Sequence, residues 1–186
     1  VEQGEKLTDK QKSYHQKTKV RDLALLTLLL GTGIRVSECV GLNIADIDFK
    51  NGGIRIYRKG GKEVTVYFGT EVEDALLDYL EERDRIIPEK GHEDALFLSL
   101  QRRRMAVRSV ENLVKKYARI VSPLKPITPH KLRSTYGTNL YRETGDIYLV
   151  ADVLGHSDVN TTKRHYAALE DERRRSARNK VRLREK

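Results

Sequence analysis

The 186-residue chain contains no tryptophan, one methionine, one cysteine and four prolines. A single cysteine, Cys39, excludes an internal disulfide and leaves a zinc ion mainly histidine and carboxylate ligands. A chain without disulfides suits a reducing, cytoplasmic compartment. Hydrophobic residues amount to only 38%, and the longest apolar run, residues 23–30, is interrupted by Thr27. That run falls well short of the roughly 18 residues a membrane span requires. The opening VEQGEKLTDKQK is polar nearly throughout and does not read as a signal peptide. Acidic residues are also in deficit: 27 Asp and Glu face 36 Lys and Arg, a net charge of +9. The first partner to consider is therefore a polyanion.

What apolar content there is lies in periodic runs, so a core can form. Thr8 and Gln11 make a capping box for a helix to about Leu30, with Val20, Leu23, Ala24, Thr27 and Leu30 on its inner face and Gly31 as its stop. A short helix over residues 34–42 and a strand over 44–49 follow. Asn51-Gly52 is a strong hairpin signal, and Gly60-Gly61 marks a second tight turn. Thr70 with Glu73 predicts another capping box. The spacing of Val110, Leu113, Val114, Tyr117 and Val121 predicts a helix over 107–121. Pro123, Pro126 and Pro129 mark a stiff connector, with Thr128-Pro129 as a helix start. That helix runs to about Tyr141 before Gly145. Another spans 146–154 and stops at Gly155, and Thr161 or Thr162 caps a helix through Tyr166. From Glu170 onward eight basic and four acidic residues, with Val181 and Leu183 the main apolar ones, read as a solvated helix or tail. The expected fold class is mainly α with a small antiparallel β-sheet.

Six residues stand out against this frame: Arg35, Lys59, His130, Arg133, His156 and Tyr166. Taken singly, each has a plain structural reading as a surface charge, a cap or a core aromatic. His130 and Arg133 share one helix face at i, i+3. Arg35 follows the tight turn Gly31-Thr32-Gly33. Around them lie the segments TGIRVSECVGLNIADID, RKGGKEVTVYF, PHKLRSTYGTNL and VLGHSDVNTTKRHYAAL. These segments, in this order, resemble the catalytic domain of the tyrosine recombinases, the phage integrases and Xer-type enzymes, over residues 32–169.

The resemblance implies that Arg35 and Arg133 bind a scissile phosphate. It implies Lys59 as general acid for a 5′-hydroxyl leaving group, with Lys62 its rival. His130 would assist proton transfer, His156 would donate a hydrogen bond to the phosphate, and Tyr166 would be the nucleophile. Glu38 would brace the site. The chemistry fits the residue types. A phenolate conserves the phosphodiester energy in a covalent link, and planar guanidiniums clamp developing negative charge better than a lysine does. In many members the tyrosine stands nine positions after the second histidine; here that position is His165, and Tyr166 is the tenth. The loop before it, residues 157–161, is expected to absorb the difference.

Lys62, Lys131, Lys163 and Arg164 neighbour these segments and are candidate DNA contacts. The run Arg102-Arg103-Arg104 either touches phosphate or faces solvent. No cofactor or metal is implied: Asp46 and Asp48 read as turn residues, and Asp152 and Asp158 as helix ion pairs. Double-stranded DNA is the expected partner, and a tetramer on DNA the expected state of the full-length protein. The expected organisation is a catalytic domain over residues 1–169 and a charged helix or tail over 170–186, with no counterpart expected in this sequence to the family's N-terminal core-binding domain. Two other readings remain open: a type IB topoisomerase-like activity, and a DNA-binding module without catalysis.

Overall fold

The computed structural model describes residues 8–178 and 180. In chain order it contains α1 (Asp9–Thr32), α2 (Val36–Gly41), a 3-10 turn (Ile44–Asp46), β1 (Ile47–Asp48), β2 (Gly53–Arg58) and β3 (Lys62–Tyr67). It continues with α3 (Thr70–Arg83), α4 (Val107–Val121), α5 (Pro129–Thr144), α6 (Ile147–Leu154), α7 (Val159–His165) and α8 (Ala167–Ala177). The expected class, mainly helical with one small antiparallel sheet, is the one observed. Two compact units divide between Arg133 and Ser134, within α5.

In the first unit, α1 begins with the expected capping box: Thr8 accepts from the Gln11 N–H, and the Gln11 side chain accepts from the Thr8 N–H. The helix runs past Gly31 to Thr32 and ends at Gly33, whose φ of 67° is left-handed. Its inner face differs from the expected one. Leu25, Leu28 and Leu29 are buried beside Ala24, whereas Leu23 and Leu30 are exposed. The buried stripe also holds Arg21 and Asp22, which an apolar template passes over. They are paired at 2.7 Å, Arg21 donates to the Leu98 carbonyl, and Tyr117 donates to Asp22. Their burial is thereby compensated.

The sheet has the order β1-β2-β3, with Ile47 opposite Ile54 and Ile54 opposite Val66. Ile54, Ile56 and Val66 point into the core. The strand expected over 44–49 is reduced to two residues. Residues 44–46 turn instead, because Asp46 accepts from the Asn43 N–H at 2.9 Å and pairs with Arg55 at 3.3 Å. Asp48 accepts from Asn51 at the hairpin, and those bonds lower its pKa.

The capping box expected for α3 is not formed. Gly69 stands at the cap without a side-chain bond, and Thr70 is already helical. Tyr79 and Arg83 of α3 pin the irregular segment that follows. Tyr79 stacks on Phe97 at 5.3 Å, donates to the Leu96 carbonyl at 3.0 Å and accepts from the Leu98 N–H at 3.2 Å. Arg83 donates to the carbonyls of Glu93 and Ala95. α4 spans the expected residues and buries Val110, Leu113 and Val114; Val121, at its free end, is exposed.

In the second unit, Asp146 caps α6 through the N–H groups of Tyr148 and Leu149, and Gly155 ends it. α5 continues three residues beyond Tyr141. Asp158, not Thr161 or Thr162, caps α7, by accepting from the Asn160 N–H at 2.9 Å. The helix does not run through Tyr166. It stops at His165, and Tyr166 is a break (φ −106°, ψ 16°) before α8. The core here is Tyr141, Ile147, Val150, Leu154 and Tyr166. The expected tail is helical to Ala177, with Arg174–Glu170 and Arg175–Asp171 pairs along it; Val181 and Leu183 lie outside the described residues. Among the described residues no helix is long and apolar enough to cross a membrane.

Tyr79→Phe keeps the stacked ring but strips the buried Leu98 N–H and Leu96 carbonyl of their partner. The expected cost is about 1–3 kcal/mol, read as a lower urea midpoint at unchanged slope; an unshifted midpoint would refute the pinning role.

Candidate active site

Gly33 ends α1 in a left-handed turn, and Arg35 follows in extended backbone (φ −74°, ψ 151°) before α2. Glu38, one turn into α2, accepts from the Arg35 backbone N–H at 2.9 Å, and the same carboxylate oxygen lies 3.6 Å from the Arg35 guanidinium. The other oxygen lies 3.6 Å from Nε of Arg58 on β2. The Glu38 carboxylate is thus buried between two guanidiniums, which is what a buried anion requires. The Arg35 side chain stays 43% exposed, within reach of an anion from solvent. Cys39 beside it is fully buried; that burial, and then the Glu38 charge, pushes its thiol up to about 12. It is an unreactive core residue.

Arg133 reaches the same turn from α5. Its guanidinium donates to the carbonyl of Gly33, two residues ahead of Arg35, and the side chain is buried. The first unit therefore gathers both arginines around the end of α1. His130, one turn earlier on α5, is exposed at the rim of a cleft of about 660 Å³ between α4 and the proline-rich connector. Arg108, Lys115, Arg119 and Lys125 also line this cleft, with Glu111 the one acidic residue among its walls.

Lys59 is exposed in the turn between β2 and β3, and Lys62 opens β3 opposite Arg58. Gly60 and Gly61 have φ of 84° and 75°, which residues with a Cβ avoid. The turn that carries Lys59 thus depends on both glycines.

The second unit holds His156 and Tyr166. His156 follows the Gly155 stop, and its Nδ1 lies 2.6 Å from Oγ1 of Thr162 on α7. Thr162 is fully buried, and its carbonyl accepts the Tyr166 N–H at 3.1 Å. One threonine thus ties both residues to α7. The Tyr166 ring is 3% exposed, stacked on Tyr141 at 6.0 Å with His165 edge-on at 4.8 Å. Its hydroxyl lies against the backbone at Gly137, so close that a Cβ there would overlap it.

Of the candidate DNA contacts, Lys62, Lys131 and Arg164 are exposed, and Lys163 lies over the Tyr148 ring at 5.2 Å. In the run 102–104, Arg103 is exposed, and its two neighbours serve the loops. Arg104 donates to the carbonyls of Val40 and Leu42 and to Asn43, and Arg102 bonds the Ile87 carbonyl and Glu89. Among the described residues no group of three His, Cys, Asp or Glu side chains is placed to hold a metal. Three participants escaped the sequence reading: Arg58, Thr162 and the carbonyl of Gly33. Arg58 and Thr162 both lie within quoted segments, but their partners are distant in sequence or set by a turn. A backbone carbonyl leaves no sequence signal at all.

The phage integrase family matches residues 1–173. The chain is 38% identical over 148 residues to tyrosine recombinase XerD of Oceanobacillus iheyensis, covering 79% of this chain and 50% of that protein. It is 37% identical over 172 residues to tyrosine recombinase XerS of Streptococcus uberis, covering 91% and 48%. The chain thus spans about half the length of the curated relatives it matches. Among solved structures it resembles XerA recombinase at 27% identity and a TM-score of 0.74, over 95% of this chain and 66% of that one. It also resembles XerH site-specific recombinase bound to its difH substrate in a pre-cleavage complex, at 26% identity and a TM-score of 0.71, over 80% and 44%.

Gly137→Ala tests the packing around the phenol. The added methyl is expected to cost about 1–3 kcal/mol through overpacking. In the Tyr166→Phe background, where the overlapping oxygen is gone, most of that penalty should vanish. Equal penalties in both backgrounds, measured by chemical denaturation, would place the hydroxyl elsewhere.

Proposed function

Because the chain belongs to the phage integrase family of tyrosine recombinases, we propose that it is the catalytic domain of a site-specific recombinase that cuts and rejoins duplex DNA. The observation that carries this reading is the pairing of Arg133 with the Gly33 carbonyl, two residues from an Arg35 braced by Glu38. Two guanidiniums sharing one turn suit the non-bridging oxygens of a phosphate, on which the transition state concentrates charge.

In the proposed reaction the Tyr166 oxygen attacks the phosphorus and the bond to the 5′ oxygen breaks. Lys59, on its glycine turn, delivers a proton to that departing oxygen. His130 takes part in proton transfer with the phenol, and His156 donates a hydrogen bond to the phosphate. A 3′-phosphotyrosine and a free 5′-hydroxyl result. A 5′-hydroxyl from a second strand then attacks the phosphorus, the tyrosine leaves, and the new strand is joined. Phosphodiester energy is held in the protein link throughout, so no external energy source enters.

The Tn1549 transposon integrase, 26% identical with a TM-score of 0.62, was solved in complex with circular intermediate DNA, which supports duplex DNA as the partner here. The net charge of +9 supports it as well. A tetramer holding two duplexes is part of the same proposal. The names of the relatives favour recombinase over topoisomerase.

A nicked suicide substrate that sheds its 5′-hydroxyl fragment traps the intermediate. A protein–DNA adduct is expected on a denaturing gel, insensitive to EDTA. Tyr166→Phe should abolish it with DNA binding nearly intact, and Arg35→Ala or Arg133→Ala should slow it about 10²–10³-fold. Lys59→Ala should be rescued by a substrate with a better leaving group. An adduct that survives Tyr166→Phe would overturn the nucleophile assignment; supercoil relaxation without strand exchange would point to a topoisomerase.

A further inference from the structure

Alternation along β2 puts Ile54, Ile56 and Arg58 on the inward side of the sheet, and the two isoleucines are buried as that pattern requires. The third position breaks it. Arg58 carries a guanidinium where the stripe calls for an apolar side chain, and that side chain is only 10% exposed. A charge so placed is costly unless a neighbour compensates it. Its Nε lies 3.6 Å from one carboxylate oxygen of Glu38 on α2. The other oxygen is already engaged by Arg35, through the backbone N–H at 2.9 Å and the guanidinium at 3.6 Å. One buried carboxylate therefore divides its oxygens between the residue that precedes α2 and the residue that ends β2.

The residue after Arg58 is Lys59. Its turn is closed by the Gly61 N–H, which donates to the Arg58 carbonyl at 3.1 Å, and by the pairing of Arg58 with Lys62 across the strands. From Lys59 to Glu63 every residue is exposed. Gly60 and Gly61 bring left-handed backbone and no side chain to pack. The side chain of Arg58 is thus the one next to Lys59 that reaches the interior.

We propose that Arg58 is a positioning residue that ties the Lys59 turn to Arg35 through Glu38, so that the general acid and the phosphate clamp are set from one carboxylate. The inference rests on the assignment of Lys59 as general acid. Arg58 itself gives up no proton. Arg35 has its own bond to Glu38, so loss of Arg58 falls on protonation of the leaving group.

The test compares two suicide substrates, one with the ordinary 5′ oxygen at the scissile position and one with sulfur in its place. The oxygen takes a proton from the Lys59 ammonium as its bond to phosphorus breaks, whereas a thiolate leaves without one. Arg58→Leu, which continues the isoleucine stripe, should slow adduct formation about 10- to 100-fold on the oxygen substrate and less than about twofold on the sulfur one. Arg58→Gln keeps a polar donor beside the carboxylate; it carries the test if Arg58→Leu does not fold, and should show the same selectivity at smaller size. Arg58→Lys should recover much of the oxygen rate. Arg55→Gln, on the outer side of β2, should change neither rate. A second readout needs no catalysis. Amide exchange of Gly61, followed by NMR in the full chain without DNA, should rise about three- to tenfold in Arg58→Leu. The Phe68 amide, bonded to the Gly52 carbonyl at 2.9 Å at the far end of the sheet, should stay unchanged.

Equal slowing on both substrates overturns the proposal, because Arg58 would then act on the phosphate or on Arg35. So does an unchanged oxygen rate, or Gly61 exchange that does not rise. Lys59→Ala is measured beside these variants. Rescue by sulfur in Lys59→Ala without rescue in Arg58→Leu strikes the tie alone. No rescue in Lys59→Ala, or an adduct that persists in Tyr166→Phe, strikes the functional reading on which the tie rests.

Discussion

The bond from Arg133 to the Gly33 carbonyl is the constraint on which the candidate site depends. The end of α1 presents carbonyls that carry the negative end of the helix dipole, and a buried guanidinium needs such acceptors. Each therefore satisfies the other. The consequence is positional. Arg133 is fixed at the turn that sends the chain into α2, and Arg35 leaves that turn two residues later with Glu38 holding its backbone N–H and its guanidinium. A lysine at 133 would offer one compact charge with no planar fork to serve both carbonyl and anion. The left-handed Gly33 is equally part of the device, because the turn that aims the carbonyl requires its positive φ.

The same solution recurs through the first unit, which explains how a chain with 38% hydrophobic residues orders so much irregular backbone. Arg21 reaches the Leu98 carbonyl, Arg83 those of Glu93 and Ala95, and Arg104 those of Val40 and Leu42. These arginines come from helices or loops next to segments that lack their own backbone partners. Each serves carbonyls that an apolar core would have left unsatisfied. Part of the positive charge is therefore structural. The +9 of the sequence overstates the charge offered to a polyanion, and Arg104, bonded to the carbonyls of Val40 and Leu42, is the clearest instance.

How much was legible follows from the same distinction. The start of α1 and the extent of α4, the Asn51-Gly52 and Gly60-Gly61 turns and the Asp146 to Gly155 helix were readable, because each rests on local chemistry of caps, glycines and period. The inner face of α1 was not. Leucines surround its end, and the residues that decide its rotation, Arg21 and Asp22, are buried only because Tyr117 and Leu98 meet them from far along the chain. The strand at 44–49 failed for a local reason: Asp46 closes a turn with Asn43 three residues earlier. Motif resemblance supplied the candidate catalytic residues. It did not supply their partners: Arg58 and Tyr141 act through contacts distant in sequence, and Thr162 through a turn whose geometry no local pattern encodes.

The extra residue between His156 and Tyr166 illustrates what only the fold resolves. On a continuous helix one added residue would rotate the phenol by roughly 100°, and the loop at 157–161 was expected to take up that change. The structure keeps this loop short, with α7 already under way at Val159. The helical phase is broken at the tyrosine instead. Thr162 holds His156 through its hydroxyl and the Tyr166 N–H through its carbonyl, so the backbone at 166 is anchored to α7 while its dihedral angles leave the helix. Ring direction is then set by what the side chain packs on, Tyr141 and Gly137, and not by its count along α7. A spacing rule read along the chain therefore loses its force at a residue whose neighbours, not its helix, decide where it points.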